Sequence, residues 1–203
     1  MRRICAAVEL AIIADEVFLD YSLGDEPRSS FSEETGALTF TLSGLSKISA
    51  LPQMKVAWIA VGGPAALKQE ALSRLEVVAD TYLSMNAPVQ CAVPQMLAER
   101  HHVQPQITHR VLANLATLDA RLASQKASAR LVVEGGWYAV LRVPALGSDE
   151  DLAVSLLERT GVLVQPGYFY NFSSNGYLVV SLITPAWEFE TGIDRVLCYL
   201  DNR

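Results

Sequence analysis

Three short strand-like segments near the start of the chain constrain its fold most strongly. They cover residues 11–14, 38–42 and 56–61, and each is followed by polar residues or glycines. A short continuous apolar run such as the first is typical of a strand that is buried on both faces of a sheet. Pro64 then begins a helical pattern that extends to about residue 82. Strands that are separated by loops and followed by helices predict part of an open α/β sheet.

The second half of the chain has a different pattern. Pro105 marks a junction, and residues 107–125 carry apolar side chains at spacings of three and four, which predicts an amphipathic helix. Beyond this helix we predict a smaller α+β unit. Its predicted strands are residues 131–133, 137–143, 163–164 and 177–183, and its predicted helices are residues 149–160 and 185–200. We therefore expect two domains, residues 1–104 and residues 105–203.

The composition excludes several classes of protein. Of the 203 residues 51% are hydrophobic, so the chain can bury a sizeable core. A net charge of −6 gives no electrostatic reason to expect a nucleic acid partner. No run of 18 apolar residues is present, so we expect no membrane span. Three widely spaced cysteines indicate buried, reduced thiols in a cytoplasmic protein.

One acidic residue stands where open α/β sheets bind their ligands. Asp15 directly follows the first apolar strand, and ligands of such sheets bind beyond the carboxyl ends of the strands. A carboxylate in this position can pair with a protonated ring nitrogen. The alternative is a local role in a turn or as a helix cap.

The loop Ser43-Gly44-Leu45-Ser46-Lys47 follows the second strand, with Lys55 eight residues later. A lysine that forms a Schiff base must lose its proton, and burial or a neighbouring cation favours this loss. Lys55 is the candidate for that cation, and it could also bind a phosphate. The alternative is that both lysines are ordinary solvated side chains.

Five segments, in order along the chain, resemble motifs of the second half of fold type I, class I/II aminotransferases. The segments are 15–18 (Asp-Glu-Val-Phe), 43–47 together with Pro52, Lys55 and Ala57, 86–90 (Asn-Ala-Pro-Val-Gln), 135–138 (Gly-Gly-Trp-Tyr) and 164–169 (Val-Gln-Pro-Gly-Tyr-Phe). The resemblance implies an α/β fold in which a partial large-domain sheet, residues 1–104, precedes an α+β small domain, residues 105–203.

The resemblance also implies pyridoxal 5′-phosphate (PLP) as the cofactor and a role for each candidate residue. Lys47 would form the Schiff base with PLP and then move a proton between substrate and cofactor. Asp15 would pair with the pyridine nitrogen, and Ser46 would lie near the phosphate. Phe18 stands where the family has a tyrosine that hydrogen-bonds the ring oxygen, and Lys55 stands where the family has a phosphate-binding arginine.

Two further departures from the family pattern concern the substrate and the missing half of the fold. The arginine that binds the substrate carboxylate corresponds to Val179, which is apolar. The family's first half supplies the helix that receives the phosphate and the aromatic ring that stacks on the cofactor. The chain therefore resembles a truncated enzyme, and a homodimer or a partner chain would have to complete the site.

The function implied by the resemblance is transfer of an amino group between an amino acid and a 2-oxo acid. Two alternatives remain open. The chain could be a non-catalytic remnant or oligomerisation module of the aminotransferase fold, because it departs from the family at several site positions. It could instead be a PLP-dependent lyase or decarboxylase, since such enzymes need not bind the substrate carboxylate through an arginine.

Overall fold

In the computed structural model, a three-stranded mixed sheet organises the first part of the chain. Its strands are β1 (Ile12–Asp15), β2 (Thr39–Gly44) and β3 (Ala57–Gly62), in the order β1-β2-β3. β1 runs parallel to β2, and β3 runs antiparallel to β2. These strands lie within two residues of the predicted ones, and the predicted α/β fold class is confirmed.

The helices of this part flank the strands in sequence. They are α1 (Arg2–Ala7), α2 (Leu45–Ile48), α3 (Ala65–Thr81) and α4 (Ala87–Ala98). Pro64 is the N-cap of α3. It therefore lies one residue before the first helical position, where the sequence predicts it. Asn86 caps α4, because its side-chain oxygen accepts a hydrogen bond of 3.0 Å from the Val89 N–H.

The structure describes residues 2–24, 28–82 and 85–202. By its contacts the chain divides into two units, Met1–Gln104 and Pro105–Arg203. The long helix α5 (Arg100–Leu122) contains Pro105, so the predicted helix start at residue 107 was wrong. A proline removes one backbone donor from a helix, and buried apolar residues further along α5, such as Leu118, outweigh that loss.

The second unit contains a four-stranded antiparallel sheet in the order β4-β5-β7-β6. Its strands are β4 (Ala129–Arg130), β5 (Tyr138–Arg142), β6 (Gln165–Pro166) and β7 (Tyr177–Ser181), and its helices after α5 are α6 (Asp149–Thr160) and α7 (Ala186–Asp201). The predicted α+β organisation is therefore confirmed. The strands predicted at residues 131–133 and 163–164 are each displaced by about two residues, because short apolar runs mark strand ends poorly.

Aliphatic side chains of the sheet and of α6 and α7 form the core of this unit. The most buried of them are Ala139, Leu141, Leu152, Leu156, Leu178, Leu182 and Val196. Each buried leucine or valine side chain among them contributes about 1.5–3 kcal/mol through removal of its surface from water. The core thus fixes β7 between β5 and β6, where its central residues are buried.

A buried carboxylate joins the start of α6 to the start of β7. Asp149, which is 2% exposed, accepts hydrogen bonds from the backbone N–H groups of Gly176 (2.6 Å) and Tyr177 (3.3 Å). The preceding Ser148 is the N-cap, and its hydroxyl accepts a 3.0 Å bond from the Asp151 N–H. The first turn of α6 therefore anchors the loop that leads into β7.

The cysteines differ from the prediction of three buried thiols. All three are free, but Cys91 and Cys198 are exposed and Cys5 is only partly buried. Cys91 and Cys198 lie on helices whose solvent-facing sides accept small residues of any polarity. Within the described residues, no helix is both long enough and apolar enough to cross a membrane.

We expect Gly44→Ala to destabilise the first unit by about 1–3 kcal/mol. A β-carbon at Gly44 would lie 2.6 Å from the carbonyl oxygen of Val56, which belongs to the adjacent backbone and cannot move aside easily. Gly24→Ala is the matched control, since among the described residues its added carbon would meet only a flexible part of Arg28, at 3.9 Å. Urea denaturation monitored by tryptophan fluorescence would measure both. Equal midpoints for the two variants would contradict the prediction.

We expect Asp149→Ala to destabilise the second unit by about 2–3 kcal/mol, because it leaves two backbone N–H groups without their acceptor in a buried position. Asp151→Ala is the matched control, since Asp151 lies in the same first turn of α6 but is exposed. The control should cost well below 1 kcal/mol in the same denaturation experiment. A comparable loss in both variants would mean that charge near the helix start, rather than the buried contact, stabilises this unit.

Candidate active site

The parallel pairing of β1 with β2 brings two chemically distinct segments to one edge of the sheet. Asp15, the last residue of β1, pairs with Leu42, and the Glu16 N–H donates to the Leu42 carbonyl at 2.9 Å. Because parallel strands end at the same edge, the turn that follows Asp15 and the turn that contains Lys47 leave the sheet side by side.

The Asp15 carboxylate begins a tightly turned segment. Its Oδ1 accepts a hydrogen bond of 3.2 Å from the Val17 N–H, and the residue is exposed. The Glu16 carbonyl then accepts from the Leu19 N–H at 3.0 Å, and the chain continues into a 3₁₀ turn, Leu19–Tyr21. Asp15 therefore has the local turn role that the sequence left open, while its exposed carboxylate remains accessible to a ligand.

Glu16 contacts the part of the β1–β2 connection that lies closest to β2 in sequence. Its carboxylate accepts a 2.7 Å bond from the Ser30 hydroxyl and another 2.7 Å bond from the Phe31 N–H. The Phe31 carbonyl in turn accepts a 3.4 Å bond from the buried Thr39 hydroxyl on β2. These contacts link Glu16, the residue after Asp15, through Phe31 to the start of β2 and so stabilise the segment that carries Asp15.

Lys47 lies in the short helix α2, directly after β2. The chain has four lysines, all within the described ranges, and Lys47 is half-buried whereas the other three are exposed. Its Nζ lies 5.4 Å from the centre of the Phe18 ring, within the range of a cation–π contact. The structure thus brings together Phe18 and Lys47, two of the residues that the sequence singled out.

Tyr21 is a contact of Lys47 that sequence reasoning missed. Its hydroxyl donates a 2.9 Å hydrogen bond to the Lys47 carbonyl, and its side chain is 1% exposed. Burial, with a smaller contribution from the Asp20 carboxylate, raises the pKa of Tyr21 to about 12, so the hydroxyl stays protonated at neutral pH. No motif spacing marks this residue, because its role depends on a contact between residues 26 positions apart.

The remaining candidates in the first unit lie close to Lys47 in sequence. Ser46 is half-buried in α2, and Ser49, just after α2, has a buried hydroxyl for which the described residues provide no hydrogen-bond partner. Lys55 is exposed and ends a 3₁₀ turn, Pro52–Met54, in the left-handed conformation with φ of 54°. The segment thus contributes two hydroxyls and a second ammonium group.

Val179 occupies the middle of β7 in the second unit. It is 4% exposed and pairs with Val140 of β5 on one side and with Gln165 of β6 on the other. An apolar side chain in this buried position packs well and offers no charge to a ligand. Among the described residues, no group of three His, Cys, Asp or Glu side chains could hold a metal ion.

Comparison with known proteins identifies the family of the chain. The family model described as aminotransferase class I and II matches residues 1–187. An alanine aminotransferase of Mycobacterium tuberculosis is 25% identical over 198 residues, which cover 93% of this chain and 46% of that protein. The chain thus spans about half the length of this relative.

Solved structures agree at the level of the fold. An aminotransferase from Mycobacterium tuberculosis matches 100% of this chain and 52% of its own chain with a TM-score of 0.83 at 19% identity. An aromatic aminotransferase from Pyrococcus horikoshii matches 100% of this chain and 54% of its own with a TM-score of 0.83 at 18% identity. The sheet edge described above and the family model that covers almost the whole chain lead to one conclusion: this chain belongs to the aminotransferase class I and II family.

Proposed function

We propose that the chain is the Lys47-bearing part of a PLP-dependent aminotransferase. The first unit would be the C-terminal part of the PLP-binding large domain, and the second unit would be the small C-terminal domain. The observation that carries the proposal is the common sheet edge at which Asp15 and the Lys47 turn emerge, with Phe18 against the lysine amine.

The groups at this edge fit the chemistry of PLP. The cofactor has an aldehyde, a pyridine nitrogen and a phosphate, and the edge offers an amine on Lys47 and a carboxylate on Asp15. Lys55, which follows the 3₁₀ turn Pro52–Met54, offers a second ammonium group. The buried Ser49 hydroxyl lacks a hydrogen-bond partner among the described residues. The Lys47 turn therefore has a polar group that is able to form a further hydrogen bond. Lys47 is also the least exposed lysine of the chain, as its proposed role requires.

Each residue has a defined task in this proposal. When bound, PLP supplies a ring that withdraws electrons from the substrate. Lys47 Nζ holds the cofactor covalently and carries a proton to and from the substrate carbon. The Asp15 carboxylate keeps a proton on the ring nitrogen, and the Lys55 ammonium attracts the phosphate. Phe18 offers an aromatic face without a hydroxyl, so it shields the lysine amine from water and donates no hydrogen bond.

The proposed reaction transfers an amino group between an amino acid and a 2-oxo acid. Both substrates carry a carboxylate, and the buried Val179 provides no cation for it. We therefore expect weak binding of ordinary α-amino acids, since a desolvated charge without a partner costs several kcal/mol. This apolar position is also the observation that favours the second candidate, a PLP-dependent lyase or decarboxylase.

An association partner belongs to the proposal because the first unit exposes apolar surface. Ile13 of β1 is 72% exposed, and no second strand pairs with the outer edge of β1 within the described residues. Its neighbour Phe40 lines a cavity of about 320 Å³ together with Leu38 of the preceding loop and side chains of α3. We propose that a second copy or another chain with the family's other half covers this surface. The alternative remains a non-catalytic remnant or oligomerisation module of the aminotransferase fold.

We expect PLP, after reduction with borohydride, to modify the purified protein at Lys47 with one cofactor per chain. The chain offers only three other lysines, Lys55, Lys68 and Lys126, so peptide mapping assigns the site without ambiguity. The modification should disappear in Lys47→Ala and persist in Lys68→Ala, a control on the exposed face of α3.

Modification that is spread over the exposed lysines, or that never approaches one per chain, would contradict the proposal and favour the remnant. If Lys47 is modified, incubation of the loaded protein with amino acids and 2-oxo acids separates the two reaction types. Transfer of the amino group to an added 2-oxo acid indicates an aminotransferase. Release of ammonia or carbon dioxide indicates a lyase or decarboxylase. The same samples on a sizing column report whether the loaded protein is a dimer.

We expect Lys55→Ala to raise the dissociation constant of PLP about tenfold, because one charge-assisted contact to the phosphate is lost. Lys55→Arg should retain or tighten binding, since a guanidinium can form two hydrogen bonds to a phosphate. Titration of absorbance or fluorescence with PLP would measure both, with Lys68→Ala as the control for lost surface charge. Equal binding by all three variants would exclude Lys55 from the phosphate site.

A further inference from the structure

The segment after Asp15 contacts Lys47 at two different atoms. The ring of Phe18 lies against the side-chain amine at 5.4 Å, and the Tyr21 hydroxyl donates to the backbone carbonyl at 2.9 Å. The two aromatic residues are three positions apart and are joined by the 3₁₀ turn, in which the Tyr21 N–H donates to the Phe18 carbonyl at 2.9 Å. One rigid turn thus contacts both ends of the lysine.

The Lys47 carbonyl needs a donor because α2 ends immediately after it. In a longer helix the Leu51 N–H would donate to this carbonyl, but here it donates to the Leu45 carbonyl at 3.1 Å. The Ala50 N–H reaches the Lys47 carbonyl only at 3.4 Å, longer than a usual backbone hydrogen bond. The bond from Tyr21 is therefore shorter than the bond from Ala50, and it adds a side-chain donor to the backbone N–H groups of Ser49 and Ala50 that reach this carbonyl.

The backbone around Lys47 is also strained. Ala50 adopts the left-handed conformation with φ of 54°, which side-chain-bearing residues rarely occupy and which the surrounding structure must stabilise. The hydrogen bond from Tyr21 is one such contact, since it holds the chain three residues before Ala50. The buried position of Tyr21 strengthens this bond, because water cannot compete for the carbonyl.

We propose that Tyr21 is a positioning residue that fixes Lys47 relative to Asp15. The hydrogen bond links the turn that begins at the Asp15 carboxylate to the backbone of the lysine, so the spacing of these two groups depends on it. The inference rests on the proposed function for its consequence, PLP binding, but the contact itself can be tested without the cofactor. In this inference Tyr21 acts through the backbone of Lys47 and is therefore a positioning residue, not a catalytic one.

Tyr21→Phe in the full chain removes the hydroxyl and keeps the buried ring. In the cofactor-free protein, the backbone amides of residues 45–51 should exchange with deuterium about three- to tenfold faster, while exchange in the second unit stays unchanged. The PLP concentration for half-maximal modification of Lys47 should rise by a similar factor. Val61→Ala is the matched control, because it removes buried methyl groups and destabilises the same unit. Val61 pairs with Phe40, at the end of β3 opposite to the end that pairs with Gly44 before the Lys47 turn.

The outcomes separate the inference from the proposed function. If PLP modifies Lys47 equally well in Tyr21→Phe and in the unaltered protein, the inference is wrong and the proposed function stands. If the unaltered protein is not modified at Lys47, the proposed function fails, and the exchange of residues 45–51 alone decides whether Tyr21 positions the lysine. Equal acceleration in Tyr21→Phe and Val61→Ala would show a general loss of stability and overturn the inference.

If Tyr21→Phe folds poorly, the test can be repeated in a chain that carries a second, stabilising substitution, Glu9→Gly. Glu9 adopts a left-handed conformation with φ of 55°, which glycine accepts more readily. Glu9 lies before β1 and outside the segment that contacts Lys47. Comparison of Glu9→Gly with Glu9→Gly/Tyr21→Phe would then report the same difference in exchange and in PLP binding.

Discussion

The parallel pairing of β1 with β2 is the constraint on which the candidate site depends. Four successive residue pairs, from Ile12 with Thr39 to Asp15 with Leu42, fix the register of the two strands. Because side chains alternate between the faces of a sheet, a slip by one residue would turn the buried Thr39 and Thr41 to the other face. The register therefore decides where the Asp15 carboxylate and the Lys47 turn leave the sheet.

Contacts across that edge make the lysine unlike the other three lysines of the chain. Gly44 lets the end of β2 approach the backbone of β3, and Leu45 then donates to the Val56 carbonyl at 3.0 Å. Phe18 and Tyr21 hold Lys47 from the β1 side. The result is a half-buried amine on a turn that leaves the sheet at the same edge as the exposed Asp15 carboxylate, which is the arrangement that supports the proposed PLP chemistry. In the second unit, the apolar residue Val179 lies in the middle of β7.

The order of strands and helices could be predicted well from the sequence because most elements have a strong hydrophobic period or a clear cap. The predicted helix of residues 149–160 coincides with α6, whose N-cap Ser148 is marked by Asp151 three residues later. Pro105 misled the prediction, since a proline lowers helix propensity locally while packing further along the helix stabilises it. The exposure of the cysteines was also mispredicted, because residue type alone does not fix burial.

The sequence by itself determined the family, the fold class and the candidate residues Asp15, Ser46, Lys47 and Lys55, because these depend on residue types at fixed spacing along the chain. It also determined that Phe18 lacks a hydroxyl. Only the tertiary structure decided that Tyr21 contacts Lys47 and that Asp149 is a buried anchor for β7. These contacts join residues that are 26 and 27 positions apart in sequence. Residues so far apart come into contact only when the strands pair. Local patterns carry propensity, whereas contacts between distant residues depend on the packing of the whole unit.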